Sequence, residues 1–485
     1  MCAIIGVFNN DAPILEGLEI MRNRGKDSTN TLKLENGIVG HNLHAIVNHV
    51  PQPLKNKGVL VTNCEVYNWK ELNKKYGLKT RNDAETMLNL FDELGVEETV
   101  QLLDGVYAFA YYKNNTVWVG SDKIGVKPLW YSLSKGLGIA SEKRALEELG
   151  FKNVRELIPR HTLKYNITTG EAKFEYEEFK FEKEVNQSVE RIVQKLEKII
   201  IRSVKKRVPS VKYGILFSGG VDSLIIAKTL QNLGEEFTCY TVGIKSCKDL
   251  KRAKRLSKKY GFRLVTKKIA REDVLKALQE IIPLIQDTNV VKVSVGVVTH
   301  LATKLAARDG AKVMLSGVGA DELFAGYSRH SKSKDVNLDC YSDLLKIFEK
   351  NTYRDDAIGM NNAVEIRFPF LDKELVSYAM RIPGEHKVSH GTNKYCLRLA
   401  GKKLGLASNE VFEKKIAAQY GSGIDKEISK LAKKKKAQFL KQFYGKPNLK
   451  LGALVSGGKD SVYACLLYTS PSPRDLSTSR MPSSA

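Results

Sequence analysis

The chain has 485 residues, of which 42% are hydrophobic and 27% are charged, and its formal net charge at pH 7 is +24. This length exceeds one ordinary core and predicts two or more domains, and the composition is that of a soluble globular protein. The sequence contains no apolar run long enough to span a membrane, and its N-terminus lacks the features of a signal peptide. Seven cysteines without regular spacing fit a reducing, cytoplasmic location. Because the lysines are spread along the chain, a solvated basic surface is favoured over a nucleic-acid partner.

The first segment begins with a candidate nucleophile. Residues Cys2-Ala-Ile-Ile-Gly-Val-Phe8 indicate a strand. Removal of Met1 would leave Cys2 with a free α-amino group, whose reference pKa of about 8 allows it to accept the thiol proton near neutral pH. One residue would then supply both the nucleophile and the base. A cysteine at this position by chance is the alternative, so the interpretation depends on the motifs that follow.

Short motifs follow Cys2 in a fixed order: Arg24-Gly-Lys-Asp-Ser28, Gly40-His41, Asn63-Cys-Glu-Val-Tyr-Asn68, Asn82-Asp-Ala-Glu85, Leu103–Ala110, Ser121–Leu129 and Ala140–Leu146. In this order and spacing they resemble the N-terminal-nucleophile glutaminase domain of the asparagine synthetase family, over residues 1–170. The resemblance implies a β-sandwich, which the many short strands between turn signals also favour.

The resemblance also implies a role for each matching residue. Cys2 would attack the side-chain amide of glutamine. Asn63 and the backbone N–H of Cys64 would form the oxyanion hole for the tetrahedral intermediate. Glu65 and Asp83 would bind the α-amino group of glutamine, which a desolvated carboxylate does well.

Two positions depart from the family pattern. Cys64 stands where the family has glycine, and its N–H can serve only if the backbone there tolerates a Cβ. Leu43 stands where the family has the arginine that binds the carboxylate of glutamine, and leucine cannot make that bidentate pair. Arg24 and His44 are the candidates for the missing cation.

The second segment, residues 185–430, is arranged around a strand, a glycine turn and a helix. Tyr213–Phe217 indicate a buried strand, Ser218-Gly219-Gly220 a turn, and Leu224–Leu230 a helix. This geometry presents backbone N–H groups and a helix N-terminus to an anion, while Asp222 suits the Mg²⁺ that accompanies phosphates. The stretch lacks the Walker A pattern and resembles the pyrophosphate loop of enzymes that split ATP into AMP and pyrophosphate.

Strands and helices alternate along this segment. A helical pattern over Gln187–Lys206 precedes the first strand, and Phe237–Gly243, Phe262–Ile269 and Val313–Gly317 indicate further strands. A helix with Ser246 as its N-cap follows the second strand. The alternation predicts an α/β fold with a doubly wound parallel sheet, in which ligands lie beyond the carboxyl ends of the strands.

The second signature of this segment is Ser316-Gly-Val-Gly-Ala-Asp-Glu-Leu-Phe-Ala-Gly-Tyr327, where Asp321 could share Mg²⁺ with Asp222. It resembles a motif of the asparagine synthetase family, as do Tyr353–Asp356, Gly359-Met360, Ala363–Asp372, Lys394–Arg398 and Lys414–Gly423. The resemblance implies that Lys415 and Arg398 stabilise the departing pyrophosphate. It also implies an ATP site formed by Phe217, Ser218, Gly219, Gly220, Asp222, Ser223, Val242, Ser316 and Gly317.

The reaction implied is adenylation of the β-carboxylate of aspartate by ATP with Mg²⁺. Ammonia that Cys2 releases from glutamine would then travel between the domains through a shielded passage and attack the adenylate. Val318 stands where the family has a glutamate suited to orient or deprotonate ammonia. Either the acceptor differs from aspartate, or Glu322 or another base takes this role.

Two other functions stay open at this point. The chain could donate ammonia to a further C-terminal synthetase domain, or it could be a scaffold that binds nucleotide or nucleic acid without amide synthesis. The sequence also leaves a homodimer open.

The C-terminal residues differ in character. A lysine-rich helix is predicted over Ile428–Phe443, overlapping a linker at 431–449. Residues 450–464 repeat the pattern of strand, Ser456-Gly457-Gly458 and helix, and they resemble the start of the diphthine–ammonia ligase family. Residues 465–485 are rich in serine and proline and resemble translated sequencing-adapter read-through, so we interpret them as non-native.

Overall fold

The computed structural model describes residues 2–180, 183–414, 416–432 and 435–444, so that the repeated motif at 450–464 and the segment 465–485 lie outside the described residues. Two antiparallel sheets build the first part of the chain. Their strands are β1 (Ala3–Phe8), β2 (Ser28–Leu34), β3 (Gly37–Leu43), β4 (Leu54–Lys55), β5 (Val59–Val66), β6 (Gly105–Lys113), β7 (Thr116–Ser121), β8 (Trp130–Ser132), β9 (Leu137–Ala140), β10 (Arg155–Glu156), β11 (His161–Asn166) and β12 (Ala172–Tyr176). One six-stranded sheet has the order β10-β8-β9-β1-β3-β2, and the other has the order β12-β11-β7-β6-β5-β4.

The two sheets pack face to face and carry helices on their outer surfaces. The helices are α1 (Ile14–Ile20), α2 (Trp69–Tyr76), α3 (Asp83–Leu94), α4 (Val96–Leu102) and α5 (Lys143–Glu148), with a 3₁₀ turn at Arg22–Arg24. The alternation of β6 shows how the layers form, because successive side chains point to opposite faces of a sheet. Ala108 and Ala110 face the other sheet, while Tyr107, Phe109 and Tyr111 pack against the helix layer. The predicted β-sandwich is confirmed.

The second part of the chain contains a five-stranded parallel sheet. Its strands are β13 (Tyr213–Leu216), β14 (Thr238–Ile244), β15 (Leu264–Ile269), β16 (Val313–Leu315) and β17 (Glu365–Arg367), and a small hairpin adds β18 (Val388–Ser389) and β19 (Thr392–Asn393). The order is β15-β14-β13-β16-β17, with every neighbouring pair parallel. The chain therefore moves outward from β13 first to one side and then to the other, which places the switch point between β13 and β16.

Helices cover both faces of this sheet. They are α6 (Val189–Lys206), α7 (Val221–Asn232), α8 (Lys248–Tyr260), α9 (Arg271–Ile285), α10 (Val290–Arg308), α11 (Ala320–Leu323), α12 (Val336–Leu345), α13 (Tyr353–Asn361), α14 (Lys373–Met380), α15 (Gly384–Lys387), α16 (Tyr395–Lys403), α17 (Ser408–Val411), α18 (Ala418–Gly421), α19 (Ile424–Leu431) and α20 (Lys436–Lys441). Shorter turns lie at Ser328–Lys332, Phe348–Thr352 and Pro369–Leu371. On β16, Val313 and Leu315 point into one apolar cluster and Met314 into another. The predicted doubly wound sheet is confirmed.

Two local predictions differ from the structure. The N-cap of α8 is Cys247 rather than Ser246, because Ser246 adopts a left-handed conformation (φ 65°) as the chain turns away from β14. The helix predicted over Ile428–Phe443 is two helices, α19 and α20. Each buries its own apolar residues, Ile424 and Ile428 in α19 and Leu440 in α20, against the same cluster.

Helix α10 is long and apolar enough to cross a membrane by length and composition alone. In the folded chain, 56% of its most apolar window is buried. It packs against α9, α13 and β14, which is the environment of a core helix. Among the described residues it is the one helix that meets this test.

The two parts of the chain share apolar packing. Ile46, Val106, Ile124 and Val126 of the first part belong to the same apolar cluster as Ile366 and the core of the second. Polar contacts reinforce this packing: Lys206 Nζ lies 2.6 Å from Asp104 Oδ2, and Thr352 Oγ1 donates to the carbonyl of Gly125 at 2.7 Å. β12, the edge strand of the second six-stranded sheet, extends the sandwich to Tyr176, and the domain boundaries themselves stay predictions.

Candidate active sites

Cys2 lies immediately before β1, the central strand of its sheet, and is buried, with 8% of its surface exposed. Its backbone N–H donates to Asn63 Oδ1 at 3.0 Å, and its carbonyl accepts from Arg24 Nε at 3.2 Å. Burial raises the pKa of its thiol, an effect that a backbone N–H of His44 partly offsets. The backbone of Cys2 is therefore held in place, and its thiol needs a nearby base to become a thiolate.

Strand β5 brings the predicted oxyanion-hole residues beside Cys2. Asn63 is fully buried, and its Nδ2 atom has no hydrogen-bond partner among the residues that the structure describes. A buried donor of this kind is costly unless a ligand satisfies it, which fits the oxyanion role. Cys64 lies in the extended strand and outside the left-handed region, so its Cβ is tolerated. Its thiol lies 3.5 Å from Asp83 Oδ2.

A small cavity of about 40 Å³ adjoins Cys2. It is lined by residues of both parts of the chain: Cys2, Leu43, His44, Ala45, Ile46, Val47, Asn48, Gln52, Thr62, Cys64, Glu65, Asn82, Asp83, Ala84 and Glu365. Asp83 accepts from the N–H groups of Val66 at 2.9 Å and Ala84 at 3.0 Å. The cavity thus gathers Cys2, Cys64, Glu65 and Asp83 as the sequence predicted, and it adds Glu365 from β17, which sequence reasoning missed.

Neither Arg24 nor His44 provides a free positive charge for the carboxylate of glutamine. The Arg24 guanidinium is committed to the carbonyl of Cys2, to Glu142 at 3.2 Å and to Asp356 at 2.7 Å. His44 lines the cavity, but burial lowers its pKa to about 3, so it is neutral at physiological pH. The structure therefore does not support Arg24 or His44 as the cation that replaces the family arginine, and a substitute cation stays a prediction.

A second cavity of about 310 Å³ lies beyond the carboxyl ends of β13, β14 and β16. Every residue that the sequence predicted for ATP lines it: Phe217, Ser218, Gly219, Gly220, Asp222, Ser223, Val242, Ser316 and Gly317. Thr299, Asn351, Arg354 and Gln419 also line it and were not predicted. The cavity occupies the switch point of the sheet, where ligands of such folds bind.

Glycine is required at two points of this cavity. Gly219 adopts φ +72° in the turn between β13 and α7, a conformation that side chains disfavour. At Gly317 an added Cβ would lie 2.7 Å from Cβ of Asp222, so the two loops can approach only without a side chain there. Gly220 is the N-cap of α7, and its N–H donates to Ser218 Oγ at 3.2 Å.

Lys394 joins the two carboxylates that were predicted to bind metal. Its Nζ lies 2.7 Å from both oxygens of Asp222 and 2.7 Å from Asp321 Oδ1. Burial alone would lower the pKa of Lys394, but the two carboxylates raise it above its ordinary value. Sequence reasoning missed this residue, although it stands at the start of the Lys394–Arg398 motif.

The donor set fits Mg²⁺ when substrate phosphates complete it, because this ion is commonly held by one or two carboxylates together with phosphate oxygens. Asp222 and Asp321 both line the cavity, and they lie close enough together for Lys394 to pair with both. Within the described ranges no group of three or more His, Cys, Asp and Glu side chains could hold a metal by itself.

The two residues predicted to stabilise pyrophosphate have different outcomes. The guanidinium of Arg398 donates to the carbonyls of Asn393 at 2.7 Å and of Val411, and it does not line the cavity. Burial lowers its pKa. A direct contact between Arg398 and pyrophosphate is therefore not supported by this arrangement. Lys415 lies outside the described residues.

Val318 and Glu322 line the same cavity. The Glu322 carboxylate accepts from Tyr327 Oη at 2.5 Å and from Asn351 Nδ2 at 2.8 Å. Burial raises the pKa of Glu322, and the nearby Asp321 raises it further. A carboxylate of raised pKa in an enclosed polar site has the properties of a general base.

Family models match both parts of the chain. The model described as glutamine amidotransferase domain matches residues 1–191, and the model described as asparagine synthase matches residues 195–339 and 331–438. Together these matches cover most of the described residues.

Curated relatives match along most of their length. A protein of Methanocaldococcus jannaschii named "Putative asparagine synthetase (glutamine-hydrolyzing) 1" is 33% identical over 90% of this chain and 96% of its own. Asparagine synthetase B (glutamine-hydrolyzing) of Escherichia coli is 29% identical over 80% of this chain and 76% of its own. Among solved structures, glutamine phosphoribosylpyrophosphate amidotransferase from B. subtilis matches with a TM-score of 0.34 at 13% identity, covering 65% of this chain and 81% of that one.

Proposed function

This chain belongs to the asparagine synthase family, and we propose that it makes asparagine from aspartate, ATP and glutamine. The observation that carries the proposal is the cavity at the switch point of the parallel sheet, which all the predicted ATP-binding residues line. The buried Cys2 beside the unsatisfied donor of Asn63 supports glutamine as the source of nitrogen.

In the glutaminase half, Cys2 Sγ attacks the side-chain amide carbon of glutamine. After removal of Met1, the α-amino group of Cys2 takes the thiol proton and passes it to the departing ammonia. Asn63 Nδ2 and the N–H of Cys64 stabilise the oxyanion, and water then hydrolyses the thioester to release glutamate. Glu65 and Asp83 hold the α-ammonium group of the substrate.

In the synthetase half, the β-carboxylate of aspartate attacks the α-phosphorus of ATP, and pyrophosphate leaves. The N–H groups around Ser218, Gly219 and Gly220 bind the phosphates. Asp222 and Asp321 would hold Mg²⁺, which neutralises phosphate charge when bound. Glu322 accepts a proton from ammonia as it attacks the acyl carbon, which yields asparagine and AMP. This assignment gives Glu322 the role for which Val318 is unsuited.

We also propose a cytoplasmic location. The described cysteines are all free and most are buried, which suits a reducing compartment.

The test is product formation by the full chain, after mass spectrometry has established that Met1 is absent. ATP, Mg²⁺ and aspartate are supplied with glutamine or with ammonium chloride, and the products are identified by mass spectrometry. We expect asparagine, AMP and pyrophosphate from both nitrogen sources. Release of glutamate without asparagine would contradict aspartate as the acceptor, and absence of both products would contradict the proposal as a whole.

Two variants separate the half-reactions. Cys2→Ala is expected to abolish glutamine use and to leave ammonia-dependent synthesis. Asp222→Asn, which keeps the size of the side chain, is expected to abolish synthesis from either source. Glutamine-dependent activity that survives Cys2→Ala would disprove the nucleophile assignment.

A further inference from the structure

Arg367 of the parallel sheet contacts the wall of the glutamine cavity in the other half of the chain. Its Nη2 atom lies 2.6 Å from Glu65 Oε2, and 2% of the Arg367 side chain and 12% of the Glu65 side chain are exposed. Glu65 lines the cavity beside Cys2, whereas Arg367 does not. The carboxylate that lines the cavity therefore accepts a hydrogen bond from a residue 302 positions away in the sequence.

Arg367 is itself fixed from several directions. Its Nε donates to Glu365 Oε1 at 2.7 Å, and its Nη1 donates to the carbonyl of Arg207 at 3.2 Å. Its backbone carbonyl accepts from the N–H of Ser316, which lines the ATP cavity, at 2.9 Å. A planar guanidinium bound at three nitrogens has little freedom to rotate, so the orientation it gives to Glu65 is well defined.

This contact also bears on the charge of Glu65. Burial raises the pKa of Glu65 to about 7, and Arg367 acts against this shift. The other charged groups that face it are Glu365 on β17, Asp83 on α3 and Lys127 after β7, together with the phenol of Tyr67. A protonated acid could not form an ion pair with the ammonium group of glutamine, so the arginine favours the form that binds.

We propose that Arg367 is a positioning residue of the glutamine site, which acts across the domain interface by orienting Glu65 towards the α-ammonium group of the substrate. The inference rests on the proposed function and goes beyond it, because a residue of the synthetase half then completes the specificity of the glutaminase half. It differs from a purely structural interface contact in predicting an effect on one substrate group.

The test compares glutamine with glutaramate, which has the same amide and carboxylate but lacks the α-amino group. Glutamate or glutarate release is measured in the full-length enzyme and in Arg367→Met, Arg367→Lys and the control Arg202→Met. Arg202 forms an exposed ion pair with Glu374 on the same half of the chain, at 3.0 Å. Folding of each variant is checked by circular dichroism.

For Arg367→Met we expect the KM for glutamine to rise about tenfold or more, which is the usual effect of losing a hydrogen bond to a charged group. The change in kcat should be smaller. The KM for glutaramate should barely change, so that discrimination between the substrates falls. The rise in KM should be smaller at pH 8.5 than at pH 6.5, because Glu65 without its arginine ionises at a higher pH. Arg367→Lys should be intermediate and Arg202→Met unchanged.

A double-mutant cycle with Glu65→Gln completes the test. If Arg367 acts through Glu65, the two substitutions together should cost no more in kcat/KM than Glu65→Gln alone. Equal losses for glutamine and glutaramate, or additive losses in the cycle, would overturn the inference while leaving the proposed function intact. An unmodified enzyme without glutaminase activity would overturn both.

Discussion

Single residues decide the chemistry of both cavities, and the sequence predicted those that belong to local motifs. Cys2 and the predicted ATP-binding residues of the two glycine-rich loops line the cavities that their motifs implied, and Asn63 accepts a hydrogen bond from Cys2. Lys394 could not be assigned in this way, because it lies 172 positions from Asp222 and only the fold brings the two together. Glu365 and Arg367 were missed for the same reason, since their motif gives no sign that it faces the other half of the chain.

Asn63→Ala removes the buried Nδ2 donor without a partner among the described residues. We expect kcat for glutamine hydrolysis to fall by about 10²–10³, which is the usual effect of losing one oxyanion donor. Ammonia-dependent synthesis should stay within about twofold, since it does not use this donor. Steady-state assays with each nitrogen source check this, and an equal loss in both would point to a structural role for Asn63 instead.

Glu322→Gln keeps the size of the side chain and its contacts to Tyr327 and Asn351 but removes the proton acceptor. Amide formation from ammonia should fall by about 10² or more, the ordinary contribution of general base catalysis. Aspartate-dependent exchange between ATP and pyrophosphate should persist, because adenylation precedes the attack of ammonia. Radioactive pyrophosphate exchange measures the first step and mass spectrometry the second, and unchanged amide formation would exclude Glu322 as the base.

At the level of elements, hydrophobic periodicity predicted four of the five strands of the parallel sheet, β13 to β16, to within a few residues of their observed bounds, and it did not predict β17. The prediction was weaker where tertiary contacts determine the conformation. Ser246 has the side chain of an N-cap, yet the turn out of β14 places it in a left-handed conformation and gives the cap position to Cys247. Helix ends are set by where the chain must turn, which propensity alone does not fix.

Asp372, the N-cap of α14, is expected to stabilise the fold far more than an ordinary helix cap. It accepts from the N–H groups of Glu374 and Leu375 and also pairs with Arg207 at 2.9 Å and Lys206 at 3.0 Å. Asp372→Ala leaves a buried arginine without its partner and should lower the free energy of unfolding by about 3–5 kcal/mol. Asp335→Ala, at the exposed N-cap of α12, is the matched control and should cost about 1 kcal/mol.

The effect of Asp372 should depend on pH in a defined direction. Burial by itself would raise the pKa of Asp372. The positive charges of Arg207 and Lys206 outweigh this effect and hold the pKa below its ordinary value. The contribution of Asp372 to the free energy of unfolding is therefore fully present above its pKa in the unfolded chain, about 3.9. It is lost as the pH falls through the pKa of Asp372 in the folded protein. Urea unfolding at pH 7 and near pH 3 should show the difference between native and Asp372→Ala proteins narrowing at the lower pH. A constant difference would contradict the ion-pair explanation.

In the whole molecule, the two parts behave as a single packed unit. One apolar cluster contains Val106 and Val126 of the first part of the chain together with Ile366 and Phe368 of the second. The buried ion pairs of Arg24 with Asp356 and of Glu65 with Arg367 cross the same interface. The sequence indicated two domains from their separate motifs, but it gave no sign of how much of the core they share.

Unfolding in urea should therefore remove both activities together. We expect glutamine hydrolysis and ammonia-dependent synthesis to decline with coincident midpoints that match the loss of circular dichroism, since exposure of the shared cluster destabilises both parts. Activity assays along one urea series check this. A glutaminase activity that persists after synthesis is lost would mean that the sandwich is stable without its partner surface.

The burial of Cys2 has a consequence for biosynthesis. Its N–H is bonded to Asn63 and its carbonyl to Arg24, which is anchored on Asp356 far along the chain. An aminopeptidase must reach the peptide bond that precedes Cys2, and the burial of Cys2 in the folded chain opposes this access. If Cys2 is the N-terminal nucleophile, we expect the initiator methionine to be removed before folding buries Cys2. Protein that folds with Met1 attached would then stay an ammonia-dependent enzyme for its lifetime.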